Sequence, residues 1–157
     1  MQQPARRALA LTAALLLAGC GSPPRAPRGA VPGRLTPEAA RDVAMHALGL
    51  VGTPYRYGGN TPDSGFDCSG LIAYVYRHGM TPVLTPRTVA QLASWGERVP
   101  ADQRRTGDLV ILSRATHAGI YVGEGRFVHA PSTGGTVRLD RLDGPYWSRQ
   151  QAVYRRP

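Results

Sequence analysis

The order of its hydrophobic patterning constrains this chain more than any other feature. Up to Trp95 the apolar residues recur at helical spacing, whereas from Asp108 onward they come in short β-rich runs separated by turn residues. Helices first and a meander of strands afterwards predict an α+β domain, with the helices segregated against an antiparallel sheet of about five strands. Thr36-Pro37-Glu38 reads as an N-cap, a proline at the first helical position and an early acid. Ala39, Val43, Ala44, Ala47 and Leu48 continue that helix until Gly49 or Gly52 stops it. A second helix is expected from Cys68 to His78, with Leu71, Ile72, Val75 and Tyr76 on one side and Gly79 suited to a left-handed C-cap. Thr85-Pro86 would open a short third helix that ends before Gly96. Strands are expected at 108–112, 117–122, 126–130 and 136–139, with a fifth at 152–154.

The chain begins with what reads as an address. Arg6 and Arg7 precede an apolar run over residues 8–18, and Leu17-Ala18-Gly19-Cys20 follows. A basic start, a short apolar stretch and small residues at the cut describe a secretory signal over residues 1–19. As a helix the run would reach roughly 16 Å, too short for the about 30 Å of hydrocarbon a span must cross. Leu-Ala-Gly-Cys also resembles the lipobox of bacterial lipoproteins, in which the cysteine is acylated and becomes the mature N-terminus. Acyl chains on Cys20 would hold the protein on a membrane surface without a spanning helix. Gly21 stands where an Asp would indicate retention at the inner membrane, so the outer membrane, facing the periplasm, is the expected location. Residues 20–35, with Pro23, Pro24, Pro27 and Pro32, read as the lipidated cysteine and a disordered tether. Residues 36–157 are then the folded domain.

Composition narrows the chemistry. All 19 basic side chains are arginine, so neither a Walker phosphate loop nor a lysine Schiff base is available. Two cysteines make neither a disulfide framework nor a four-cysteine zinc site. The net charge of +9 suggests an anionic partner without saying which. No cofactor, metal or nucleic-acid partner is expected, and a monomer is.

With Cys20 lipidated, Cys68 is left over, either as buried filler or as a reactive thiol. Asp67 and Ser69-Gly70 place it where a glycine-rich loop becomes a helix. Unpaired amides and partial positive charge at a helix start favour a thiolate and can receive an oxyanion. A base would have to be a histidine. His46 lies inside the first helix, and His78 is roughly 15 Å from Cys68 along the second. His117 and His129 remain, on consecutive strands. A two-residue turn between those strands would put them on opposite faces. A three-residue loop, Gly123-Glu124-Gly125, would put them on one face as diagonal neighbours. The triad requires that face to be the one turned to the start of the second helix. A line of nucleophile, base and orienting group, Cys68–His117–His129, is therefore permitted. A zinc site on the same three residues lacks any metal-ligand spacing around Asp67-Cys68-Ser69-Gly70.

Several segments in order resemble the NlpC-type bacterial cell-wall peptidases of the papain-like superfamily. They are Tyr55-Arg56-Tyr57-Gly58-Gly59, Phe66-Asp67-Cys68-Ser69-Gly70-Leu71, Thr106-Gly107-Asp108-Leu109-Val110, His117-Ala118-Gly119-Ile120-Tyr121-Val122-Gly123, Phe127-Val128-His129-Ala130 and Pro145-Tyr146-Trp147. The resemblance implies a papain-like domain in which Cys68 is the nucleophile, His117 the general base and His129 the third polar residue. It implies that Tyr55 lines the oxyanion hole with the Cys68 amide, and that Asp67 and Ser69 sit at the substrate. The reaction it implies is endopeptidase cleavage of peptidoglycan stem or cross-link peptides through an acyl-enzyme, with those peptides as partner. The alternatives are an amidase or acyltransferase on the same fold, or an inactive envelope-binding lipoprotein. Two positions depart from the family pattern: Ala118 replaces a valine, and Val89 in Pro86-Arg87-Thr88-Val89 lacks a hydroxyl that helps some relatives bind the peptide's end. Replacing the lipobox cysteine, Cys20→Ala, is expected to abolish metabolic labelling with palmitate and to shift the protein from the membrane to the soluble fraction.

Overall fold

The computed structural model describes residues 35–157. The signal, the lipidation site Cys20 and nearly all of the tether expected from the sequence lie outside the described residues. Helix α1 (Pro37–Gly49) begins where its capping signal places it, with the Thr36 side chain accepting from the Ala39 amide. Helix α2 (Cys68–His78) is capped by Asp67, whose carboxylate accepts from the Gly70 amide at 2.6 Å. A two-stranded ribbon, β1 (Asn60–Thr61) and β2 (Gly65–Phe66), leads into α2. The one-turn helix α3 (Val89–Leu92) starts at Thr88, whose hydroxyl accepts from Gln91 and does the capping expected of Thr85.

The remaining strands are β3 (Glu97–Val99), β4 (Leu109–Leu112), β5 (His117–Gly123), β6 (Arg126–His129), β7 (Arg138–Arg141) and β8 (Ala152–Arg156). They form one sheet in the order β3-β8-β4-β5-β6-β7, with every neighbouring pair antiparallel. Six strands stand where about five were expected. The addition is β3, three residues long and too short to show alternation, which pairs along β8. The last strand thus inserts between β3 and β4, and the buried Asp108 locks it there. Both Asp108 oxygens accept from the Arg156 guanidinium at 2.9 Å, a two-pronged geometry that compensates the desolvation of the carboxylate.

Strand alternation divides the core in two. On one face Leu109, Ile111, Ala118, Ile120, Val128 and Ala130 meet Leu71, Ile72 and Val75 of α2 and Val43 and Ala47 of α1. Each fully buried Leu, Ile or Val contributes about 1.5–3 kcal/mol. On the other face Val99, Val110, Leu112, Tyr121, Phe127 and Tyr154 form a second cluster, with Trp147 packed against it.

Two boundaries move for tertiary reasons. Residues 136–139 do not open a strand, because the segment before β7 pairs with the loop after α1. Val137 donates to the Thr53 carbonyl at 2.7 Å, Gly52 donates to the Val137 carbonyl, and Tyr55 donates to the Gly135 carbonyl. Gly79 is extended (φ −70°, ψ 168°) instead of left-handed. The Asp42 carboxylate of α1 accepts the Met80 amide and draws the chain straight off the end of α2.

Close backbone approach fixes where α2 starts. A Cβ on Gly70 would lie 1.9 Å from the Gly59 carbonyl oxygen. Gly70→Ala is therefore expected to push the 58–59 loop off the helix, lowering stability by roughly 1–3 kcal/mol in urea unfolding.

Candidate active site

Cys68 is the first residue of α2 and is half-buried. Both oxygens of its neighbour Asp67 are occupied. Oδ1 accepts from the Gly70 amide and, at 3.0 Å, from the Ser69 hydroxyl, while Oδ2 accepts from the Gly58 amide at 2.9 Å. One carboxylate thus ties the 55–59 loop to the helix start, and Ser69 is buried within the same junction. Tyr55 is held in that loop by its bond to Gly135 and a bridge to Phe66. Its phenol is pushed upward by burial first, then by the charges of Cys68 and Asp67, which keeps it protonated.

The helix start acts on the thiol as expected, but it does not dominate. The backbone amides of Ala118, Ser69 and Cys68 itself favour the thiolate. Burial, followed by the charge of Asp67, outweighs them and leaves the Cys68 thiol above its ordinary value. Ala118 follows His117 at the start of β5, the strand on which α2 packs.

His117 and His129 share a face, though the connection differs from the expected three-residue loop. Gly123 pairs with Arg126 around a two-residue turn, Glu124–Gly125, with both φ positive at 51° and 71°. The register then shifts between Tyr121 and Gly123, leaving Val122 as the extra residue of a bulge. The bulge restores the parity that the short turn would have reversed, since Ile120 faces Val128 and Tyr121 faces Phe127. The shared face is the one bearing Phe127 and Trp147, opposite the helical layer. Helix α2 packs on the other face, against Ala118 and Ile120, and not on the histidine face as expected. A side chain on Gly119 would be 2.7 Å from the Val128 carbonyl and 3.1 Å from the His129 Cβ, so the missing side chain makes room for the ring.

His117 Nε2 lies 2.8 Å from His129 Nδ1, and His129 Nε2 lies 3.1 Å from Asp140 Oδ2. Asp140 also accepts from Trp147 Nε1 at 2.9 Å and from Arg138 Nε at 2.8 Å. The Trp147 ring stacks on His117, with centroids 5.3 Å apart and planes at 18°. Asp140, Trp147 and Arg138 were not singled out from the sequence as site residues. The signal for them is the β6–β7 register, which pairs Phe127 with Asp140 and His129 with Arg138 and sets both side chains on the histidine face.

The bonds dictate the protons. Burial works to raise the Asp140 pKa, but the bonds from Trp147, His129 and Arg138 hold it below the usual carboxylate range. An ionised Asp140 can only accept, so His129 carries its proton on Nε2 and offers a lone pair at Nδ1. His117 then donates from Nε2 and keeps the lone pair on Nδ1, which has no protein partner among the described residues. Both rings stay neutral: burial lowers His129 despite Asp140, and burial followed by the His129 charge lowers His117 to about 4. A neutral imidazole with one fixed free lone pair can accept a proton, and its lowered value makes it a weak base toward a thiol held above its ordinary value.

The chain matches the NlpC/P60 family over residues 52–156. It belongs to the NlpC/P60 family. It is 36% identical over 152 residues to the probable endopeptidase NlpC of Escherichia coli K12, covering 92% of this chain and 94% of the relative. It is also 36% identical over 127 residues to the murein DD-endopeptidase MepH of the same organism, covering 76% of this chain and 46% of that one. The chain spans under half the length of several curated relatives it matches. An NlpC/P60 family protein from Bacillus cereus superposes with a TM-score of 0.69 at 27% identity, covering 75% of this chain and 40% of its own.

The lowered His117 value has two consequences with a definite sign. The acid limb of kcat/KM is expected near pH 4 instead of near the ordinary imidazole value of 6.5. Because the folded value is the lower one, the stability His117 contributes is complete above pH 6.5 and lost as pH falls toward 4. Urea midpoints across that window should fall in the native protein and flatten in His117→Ala.

Proposed function

We propose that this chain is a cysteine peptidase that cleaves peptide bonds of bacterial murein. Two observations support this reading: the hydrogen-bonded chain His117–His129–Asp140, and a thiol at the start of α2, the helix that packs on the strand bearing His117. His117 Nδ1 takes the proton from the Cys68 sulfur as the sulfur attacks a peptide carbonyl. The tetrahedral oxyanion is met by the Tyr55 hydroxyl and the Cys68 amide. His117 hands the proton to the leaving amine, and a thioester remains. A water then gives a proton to the same nitrogen and attacks the thioester, releasing the acid and the thiol.

His129 and Asp140 act through His117, the first by holding its ring and the second by setting both tautomers. Asp67 and Ser69, occupied by each other and by the loop, serve the site by fixing Tyr55 relative to Cys68. The murein substrate is supported by relatives named as a murein endopeptidase and as probable endopeptidases. The Leu17-Ala18-Gly19-Cys20 run supports a lipid anchor on Cys20 that would keep the protein at the cell envelope, on the outer membrane.

Incubation with purified sacculi, followed by mass spectrometry of the released muropeptides, tests the activity and identifies the bond. Cys68→Ser is expected to reduce release by about 10³-fold or more while the fold is kept, and His117→Ala should approach that loss. His129→Gln should be milder than His129→Ala, because its carbonyl still accepts the imidazole proton. Asp140→Asn should reduce kcat by roughly 10-fold or more, because an amide no longer fixes the His129 tautomer. Unchanged release by Cys68→Ser would refute the thiol mechanism.

A further inference from the structure

A second basic site lies on the other face of the sheet. β3 and β8 pair Arg98 directly opposite Arg155, which sets two guanidinium stems side by side on one face. Like charges directly opposite each other in a sheet are destabilising, and such pairs are ordinarily avoided or neutralised. Among the described residues no carboxylate pairs with either arginine. The adjacent acid, Glu97, alternates to the opposite face, where it stands across from Arg156. Neither Arg98 nor Arg114 bonds an acidic group among the described residues. Arg155 reaches only the Gly96 carbonyl, at 3.4 Å, and its Nε is buried without a partner.

These arginines line a cavity of about 260 Å³. Arg114 enters it from the β4–β5 loop, and Ile111 and Val153, which face each other across β4 and β8, form its floor with Ala115. The loop holds an unfavourable conformation to do so: Ser113, Arg114 and Ala115 have φ of 53°, 57° and 68°, the left-handed region, with no glycine among them. His117 shares its face with Leu112 and Ala152, so the cavity opens on the opposite side from the histidine chain. It nevertheless sits at the end of β4 from which the chain runs through Thr116 into His117.

We propose that this cavity is a binding site for a carboxylate carried on a short aliphatic body, such as the free end of a peptide. Three guanidiniums from three separate elements supply forked donors for a planar oxyanion. The apolar floor favours a ligand with methyl or methylene groups over a bare inorganic anion. The inference does not depend on the hydrolytic reading, because the site uses none of Cys68, His117, His129 or Asp140.

Calorimetric titration of the full chain with N-acetylalanine, N-acetylalaninamide and inorganic phosphate tests it. The acid is expected to bind with a Kd of about a millimolar and to raise the Tm, and the uncharged amide is expected to do neither. Arg98→Gln and Arg114→Gln should each weaken acid binding about tenfold or more. Arg98→Gln should also leave the ligand-free Tm equal or higher, since it relieves the like-charge pair; a merely structural arginine would lower it. Equal binding of acid and amide would overturn the site. So would unchanged affinity in both variants, or a ligand-free Tm that falls in Arg98→Gln while its affinity stays unchanged. Phosphate binding more tightly than the acid would overturn the carboxylate assignment.

Discussion

The site hangs on one carboxylate. Asp67 caps α2, accepts from the Ser69 hydroxyl and reaches back to the Gly58 amide, so helix start and preceding loop form a single rigid piece. The contact is tight enough that only glycine fits at positions 59 and 70. Everything else about the thiol follows from that seat. The Ala118, Ser69 and Cys68 amides favour the charged sulfur, and the charges of Cys68 and Asp67 act on the Tyr55 phenol. The segment 135–137 completes the arrangement by bonding the Tyr55 loop from the sheet side.

The same carboxylate carries an electrostatic consequence. Its negative charge adds to burial in keeping the thiol protonated, while burial keeps both histidines neutral. The resting site thus holds a neutral thiol and a neutral imidazole, in contrast to a thiolate–imidazolium pair. In the proposed reaction charge separates only as the sulfur attacks. In that reaction Asp140, bonded to His129, would answer the charge on the histidines, and Tyr55 and the Cys68 amide would answer it on the carbonyl oxygen. Trp147 serves twice, covering His117 with its ring and holding Asp140 with its indole N–H.

Local signals carried well where one residue type has one structural use. Thr36 caps α1, and α2 starts at Cys68, as read from the chain, and β4, β5, β6 and β8 fall where the short β-rich runs lie. Failures cluster where a distant partner decided. Gly79 is extended because Asp42 takes the next amide. The strand expected from residue 136 starts at Arg138 because the preceding residues pair with the loop after α1. β1, β2 and β3 are two or three residues long, below the length at which alternation is visible.

The histidines show the division most plainly. Their residue types, their place on consecutive strands and the isolation of Cys68 at a helix start were properties of the sequence alone, because each rests on local pattern and on which side chains can do thiol chemistry. That both rings share one face was legible only conditionally, and the condition was met by a different device, a two-residue turn compensated by the Val122 bulge. Asp140 and the converging arginines 98, 114 and 155 belong to tertiary structure entirely. Which residues stand opposite one another depends on strand register, and register is set by the packing of whole strands, as when β8 inserts between β3 and β4 under the hold of Asp108 on Arg156. No local pattern near Asp140 or Arg155 encodes that choice.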